Sequence, residues 1–85
     1  MTSLIDDVEN YILDIPRMYL YSYFDDEKFI YRYVEKDVCY ELVIYNDVSS
    51  LYILGYVNDT QIFDEDIKNL DEFKEVIKRF NIEFK

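Results

Sequence analysis
The apolar residues Leu4, Ile5, Val8, Tyr11, Ile12 and Ile15 recur at every third or fourth position and predict a helix over residues 3–15. Ser3 is placed to cap its start, and Pro16 forbids smooth continuation. The polar face of that helix holds Asp6, Asp7, Glu9 and Asp14, with no basic residue before position 17. Beyond Pro16 the apolar period shortens to two. Aromatic and β-branched residues dominate as far as Phe63, interrupted about every ten residues by Asp25-Asp26-Glu27-Lys28, Lys36-Asp37, Asn46-Asp47 and Asn58-Asp59. Such short, regular spacing predicts an antiparallel meander, because parallel neighbours need crossovers of about a dozen residues or more. The strands fall at 17–24, 29–35, 38–45 and 50–57, with a short fifth at 60–63. Gly55, inside the fourth, marks either a bulge or a close approach of backbone.

Phe73, Val76, Ile77 and Phe80 restore the helical period and predict a second helix over 70–80. Asn69 caps it with Glu72 at the third position, and Asp71, Glu72 and Glu75 precede Lys78 and Arg79 in the order the helix dipole prefers. Asn81 would end it in a left-handed conformation, with Ile82-Glu83-Phe84 as a short extended tail. The resulting plan is α+β: an N-terminal helix, a four- to five-stranded antiparallel β-meander and a C-terminal helix, forming one domain over residues 1–85. In the first strand Met18, Leu20 and Phe24 alternate with Tyr19, Tyr21 and Tyr23; in the second, Ile30 and Val34 alternate with Phe29, Tyr31 and Tyr33. The helices are expected on the aliphatic face, leaving some of Tyr19, Tyr21, Tyr23, Tyr31 and Tyr33 on a surface apolar in body and polar at the tip.

Charge changes the picture. With 19 acidic and 9 basic residues the chain carries a formal charge of -10, yet 51% of it is apolar and 10 residues are tyrosine, which excludes a disordered acidic tail. A folded body this acidic is repelled by nucleic acid and by anionic membrane, so its expected charged partner is a basic protein. No cationic leader followed by an apolar run opens the chain, and charges interrupt every apolar stretch well short of the roughly 18 residues of a membrane span. The expected compartment is the cytoplasm, that of the host cell if the chain is viral.

The candidate chemistry is mostly excluded by composition. Histidine is absent, which removes the commonest proton-transfer group near neutral pH and every triad built on it. Cys39, the one cysteine, reads as a buried, inert strand residue. The Asp64-Glu65-Asp66 run fails the calcium-loop pattern, because Lys68 and Asn69 stand at its fifth and sixth positions, and the acids read instead as decoration of a helix start. No enzyme activity, cofactor or metal is expected. Tyrosine rows also serve single-strand nucleic-acid binders, but those need a positive groove, and Arg17, Lys28, Arg32 and Lys36 share their region with a larger number of acids.

Carboxylates on a fold lie about 6–7 Å apart along one face, close to the pitch of phosphates, and can compete for the Lys and Arg contacts of a nucleic-acid-binding protein. In size, charge and composition the whole chain resembles the small inhibitors that phages and mobile elements direct against host nucleases, anti-CRISPR proteins and uracil-DNA glycosylase inhibitor among them; no motif is shared. The resemblance implies a stoichiometric inhibitor of a basic host protein such as a nuclease or a CRISPR effector complex, acting as monomer or homodimer. Its expected contacts are Asp25, Asp26 and Glu27 at the first hairpin, Glu35 and Asp37 at the second, and Asp64, Glu65 and Asp66 before the last helix, with Tyr21, Tyr23 and Tyr31 as exposed anchors. The same physics suits an immunity protein or antitoxin facing a basic toxin. A third reading is an accessory domain that self-associates through its tyrosine face.

Overall fold
Ser3 Oγ accepts the backbone N–H of Asp6 at 3.3 Å and opens helix α1, Leu4–Leu13, in the computed structural model, which describes residues 3–25, 27–47 and 49–80. Five strands follow: β1 (Tyr19–Phe24), β2 (Lys28–Glu35), β3 (Val38–Asn46), β4 (Leu51–Val57) and β5 (Thr60–Ile67). They form one antiparallel sheet in sequence order, so the α+β meander expected from the turn spacing is the fold. Helix α2, Leu70–Ile77, closes the described chain and tightens into a 3₁₀ turn, Lys78–Phe80. Its start is doubly capped: Asn69 Oδ1 accepts the N–H of Glu72 at 2.9 Å, and Glu72 Oε1 accepts the N–H of Lys68 at 2.7 Å. Asn81 and the tail 82–84 lie outside the described residues.

Three of the hairpin turns rest on residues other than glycine in the left-handed region: Asp25 (φ 52°), Lys36 (φ 55°), and Asn58 (φ 49°) with Asp59 (φ 69°). Asn and Asp tolerate that region because their short polar side chains bond locally. Asn58 illustrates this: its N–H donates to the Cys39 carbonyl and its Oδ1 accepts the Cys39 N–H, both at 2.9 Å, which extends the β3–β4 ladder into the turn. Two successive positive φ values between paired strands define a type I′ hairpin, for which Asn-Gly is the preferred sequence. Asp59→Gly is therefore expected to raise stability by about 0.5–1 kcal/mol, relief of left-handed strain exceeding the added entropy of the unfolded chain. Urea unfolding followed by far-ultraviolet circular dichroism checks it, and a lower midpoint would contradict the turn assignment.

Both helices lie on one face of the sheet, but the side chains beneath them differ from the sequence expectation. Tyr31 and Tyr33 of β2, Leu42 and Ile44 of β3, Leu51 and Ile53 of β4, and Phe63 and Ile67 of β5 form the core with Val8, Ile12, Phe73, Val76, Ile77 and Phe80. Tyr31 and Tyr33 are thus buried rather than exposed, while Ile30 and Val34 point to the uncovered face. Register explains the inversion: Tyr31 pairs with Leu42 and Tyr33 with Tyr40, so the apolar alternation of β3 and β4 fixes which face of β2 is covered. Tyr33 retains its polar surroundings through Arg17, whose guanidinium lies 5.2 Å from the ring centroid and donates to the Val34 carbonyl at 2.6 Å. The phenol of Tyr31 is pushed up to about 12, chiefly by burial and further by the charge of Glu9.

Gly55 satisfies both sequence alternatives. A register shift separates it from Tyr56, and a Cβ there would lie 2.3 Å from Cε2 and Cζ of Phe63, its cross-strand partner. The Phe63 ring lies across the glycine and meets Phe80 with centroids 5.0 Å apart; Phe80 in turn meets Tyr40 at 5.8 Å, and Phe73 meets Tyr11 of α1 at 5.8 Å, all edge-on. The helices are fastened to the sheet and to each other by these aromatic pairs.

Candidate functional site
The meander brings four distant acidic segments to one end of the sheet. Lys28, Tyr45, Tyr52 and Asp66 stand in one cross-strand row, and the N–H of Asn46 donates to the Glu27 carbonyl at 2.8 Å just beyond it. Asp25 and Glu27 of the first hairpin and Asp47 of the β3–β4 connection therefore project from the same end. Ser3, Leu4 and Ile5 share a shallow groove with Asn46, Asp47, Leu51 and Lys68, which places the start of α1, with Asp6 and Asp7 in its first turn, at that end too. α2 also begins there, with Asp71 and Glu72 in its first turn. Both helices direct their positive dipole ends toward these acids, which offsets part of the self-repulsion. The opposite end mixes Arg17 and Lys36 with Asp14, Glu35, Asp37 and Asp59.

Besides Lys28 and Lys68, which stand at the acidic end, cations are engaged elsewhere on the fold. Arg32 pairs with Glu41 at 2.8 Å, Lys78 with Glu75 at 3.1 Å, and Arg79 with Glu65. Aromatic rings engage others: the Arg32 guanidinium lies 3.5 Å from the Tyr21 centroid, Lys74 lies 5.5 Å from Tyr11, and Lys28 lies 5.3 Å from both Phe24 and Tyr45. These contacts satisfy basic groups with π-faces and leave carboxylates at the end of the sheet in excess.

Among the described residues, no helix covers the second face of the sheet. Its three rows read Lys28-Tyr45-Tyr52-Asp66, Ile30-Val43-Leu54-Asp64 and Arg32-Glu41-Tyr56-Gln61. Tyr45 and Tyr52 rings lie 6.2 Å apart, and the Tyr52 hydroxyl donates to Asp64 Oδ2 at 2.8 Å, a bond that holds the Tyr52 phenol above its ordinary range. Charge on this face is nearly balanced, with Lys28 and Arg32 on β2 and Glu41, Asp64 and Asp66 on β3 and β5. The face is apolar and tyrosine-rich at the centre, and the surplus of acid lies elsewhere.

The sequence-predicted contacts are divided by this geometry. Asp25 and Glu27 are exposed at the acidic end; Asp26 lies outside the described residues. Glu35 and Asp37 sit at the opposite end of β2, roughly 23 Å away at 3.3 Å per residue, and do not join them. Asp64, Glu65 and Asp66 do not precede a helix in a loop: β5 continues through them to Ile67, which pairs with Leu51. Strand alternation separates the three, Asp64 and Asp66 to the uncovered face and Glu65 to the helix face against Arg79. Tyr21 is exposed on the uncovered face and Tyr23 is 63% exposed, but on the other side, because the irregularity between Leu20 and Ser22 reverses the alternation of β1. Tyr31, at 8% exposure, is no surface anchor. Cys39 is half-buried on the uncovered face opposite Val34, not buried in the core. Tyr45, Tyr52 and Tyr56, which the sequence reading passed over, were signalled by their alternation with Ile44, Ile53 and Gly55.

The chain matches no protein-family model, no curated protein and no solved structure. Among the described residues, no helix is long and apolar enough to cross a membrane.

Proposed function
We propose that this protein is a stoichiometric inhibitor that sets its acidic end into the basic nucleic-acid-binding channel of a host defence effector. The observation that carries the reading is the convergence of Asp6, Asp7, Asp25, Glu27, Asp47, Asp71 and Glu72 at one end of the sheet, from segments far apart in sequence. An array of this kind attracts a basic groove as duplex DNA does, through displaced counterions and shared Lys and Arg contacts. The exposed rings of Tyr23 and Phe24 flank the same hairpin and supply apolar area beside the acids. Acids accelerate and orient the encounter, and the rings slow dissociation. No catalytic step is part of the reading.

Affinity capture from host lysate tests it. The wild type is expected to retain a basic nucleic-acid-binding protein that is released by duplex DNA and by raising salt from about 50 to 200 mM, whereas the Asp25→Lys/Glu27→Lys variant, folded by circular dichroism, loses it. Retention that ignores DNA and salt, or that survives both reversals, would overturn the proposal.

A further inference from the structure
We propose that two copies of this chain pair face to face through the uncovered side of β2–β5, related by a two-fold axis that runs parallel to the strands between β3 and β4. The inference stands apart from the inhibitor reading and rests on the order of residues in the cross-strand rows. The row nearest the acidic end reads Lys28, Tyr45, Tyr52, Asp66. Rotation by half a turn about such an axis reverses strand order and keeps each row level. Lys28 of one copy then faces Asp66 of the other, twice, and Tyr45 faces Tyr52. In the second row Leu54 comes over Val43, which is already buried within its own chain, and in the third Glu41 meets Tyr56, whose hydroxyl is a donor for it. A row that is cationic at one end, aromatic in the middle and anionic at the other is complementary to itself under this operation, as an isologous interface requires.

The alternative two-fold axis, perpendicular to the strands, sets β5 on β5 and brings Asp64 and Asp66 toward their own copies, so the pairing of Lys28 with Asp66 selects the first arrangement, although it sets the two acidic ends together. Among the described residues neither Lys28 nor Asp66 has an ion-pair partner in its own chain: Lys28 lies over the Phe24 and Tyr45 rings, and Asp66 is exposed. Aligned sheets cross at about 30°, an offset that the long lysine side chain spans. Four strands about 4.8 Å apart and about seven residues long present a flat face of roughly 450 Å² per copy, before the relief of side chains is added. The total approaches the roughly 1,000 Å² at which specific interfaces begin, which sets the pair among concentration-dependent dimers. In this arrangement the two acidic ends lie side by side, and the dimer presents a doubled array.

Sedimentation velocity on the purified chain at about 0.15 M salt tests the proposal. The wild type is expected to be dimeric at about 100 μM and to dissociate on dilution. Lys28→Asp and Asp66→Lys, each verified as folded by circular dichroism, should each weaken the dimer by about tenfold or more, and the double exchange Lys28→Asp/Asp66→Lys should restore it. A wild type that stays monomeric at that concentration assigns the face to some other partner and overturns the proposal. So do single reversals without effect, or a folded double exchange that remains monomeric. Because Asp25 and Glu27 are untouched by these variants, their capture of a basic protein is read separately, and the failure of one proposal is distinguishable from that of the other.

Discussion
Gly55→Ala is expected to destabilise the protein by about 1–3 kcal/mol, the usual range for overpacking a filled core. The methyl group would lie 2.3 Å from two carbons of the Phe63 ring. A flexible side chain could swing clear, but Phe63 is only 4% exposed and is held from above by Phe80, which itself packs on Tyr40. Moving the ring therefore shifts the 3₁₀ turn at the end of α2, and the cost belongs to the upper part of the range. Urea unfolding monitored by circular dichroism gives the value. In the Gly55→Ala/Phe63→Leu double variant the smaller side chain makes room for the methyl group, so the double is expected to lose less than the sum of the two singles, the coupling that residues in direct contact show. Additive losses would mean that the ring does not lie across the glycine. In contrast to Asp59→Gly, the chain's one glycine serves packing, while its left-handed turns are made by Asp, Asn, Lys and Arg.

Elements whose signal is local were legible in the sequence. The cap at Ser3, the stop at Pro16, the double cap by Asn69 and Glu72 and the four hairpin tips each rest on a few neighbouring residues, and the structure has all of them. The orientation of β2 was not legible from β2 alone. Tyrosine is apolar in body and polar at its tip, so the strand 29–34 offers two amphipathic faces, and only pairing with Leu42 and Ile44 selects the tyrosine side for burial. β5 was cut short because three consecutive acids look like a helix start. As an edge strand with one uncovered face, it tolerates Asp64 and Asp66 in solvent while Ile67 anchors its end. The acidic end was invisible for a different reason: Asp6, Asp25, Asp47 and Asp71 become neighbours only through an up-and-down chain whose alternate turns fall at the same end. Glu35 and Asp37 belong to the other set of turns, so a list of acids by hairpin could not separate them.

Alkaline pH is expected to unfold the protein through Tyr31. An exposed tyrosine ionises near pH 10, whereas the folded Tyr31 resists ionisation up to about pH 12, because burial disfavours the phenolate and Glu9 repels it. The sign follows from proton linkage. Between those values the unfolded chain releases the Tyr31 proton and the folded one retains it, so the unfolded state is favoured increasingly as pH rises. The stabilising contribution is complete below pH 10 and is lost on passing through about pH 12. The chain has ten tyrosines, so the wild-type curve alone would not identify Tyr31. Tyr31→Phe isolates it: the variant removes the titrating group at nearly constant volume, and its urea midpoint should fall less steeply above pH 10 than that of the wild type. Glu9→Gln should shift the wild-type curve slightly toward higher pH by removing the lesser of the two causes of the raised phenol. Parallel curves for wild type and Tyr31→Phe would mean that the Tyr31 phenol ionises as readily in the folded chain as in the unfolded one, contrary to a ring buried in the core.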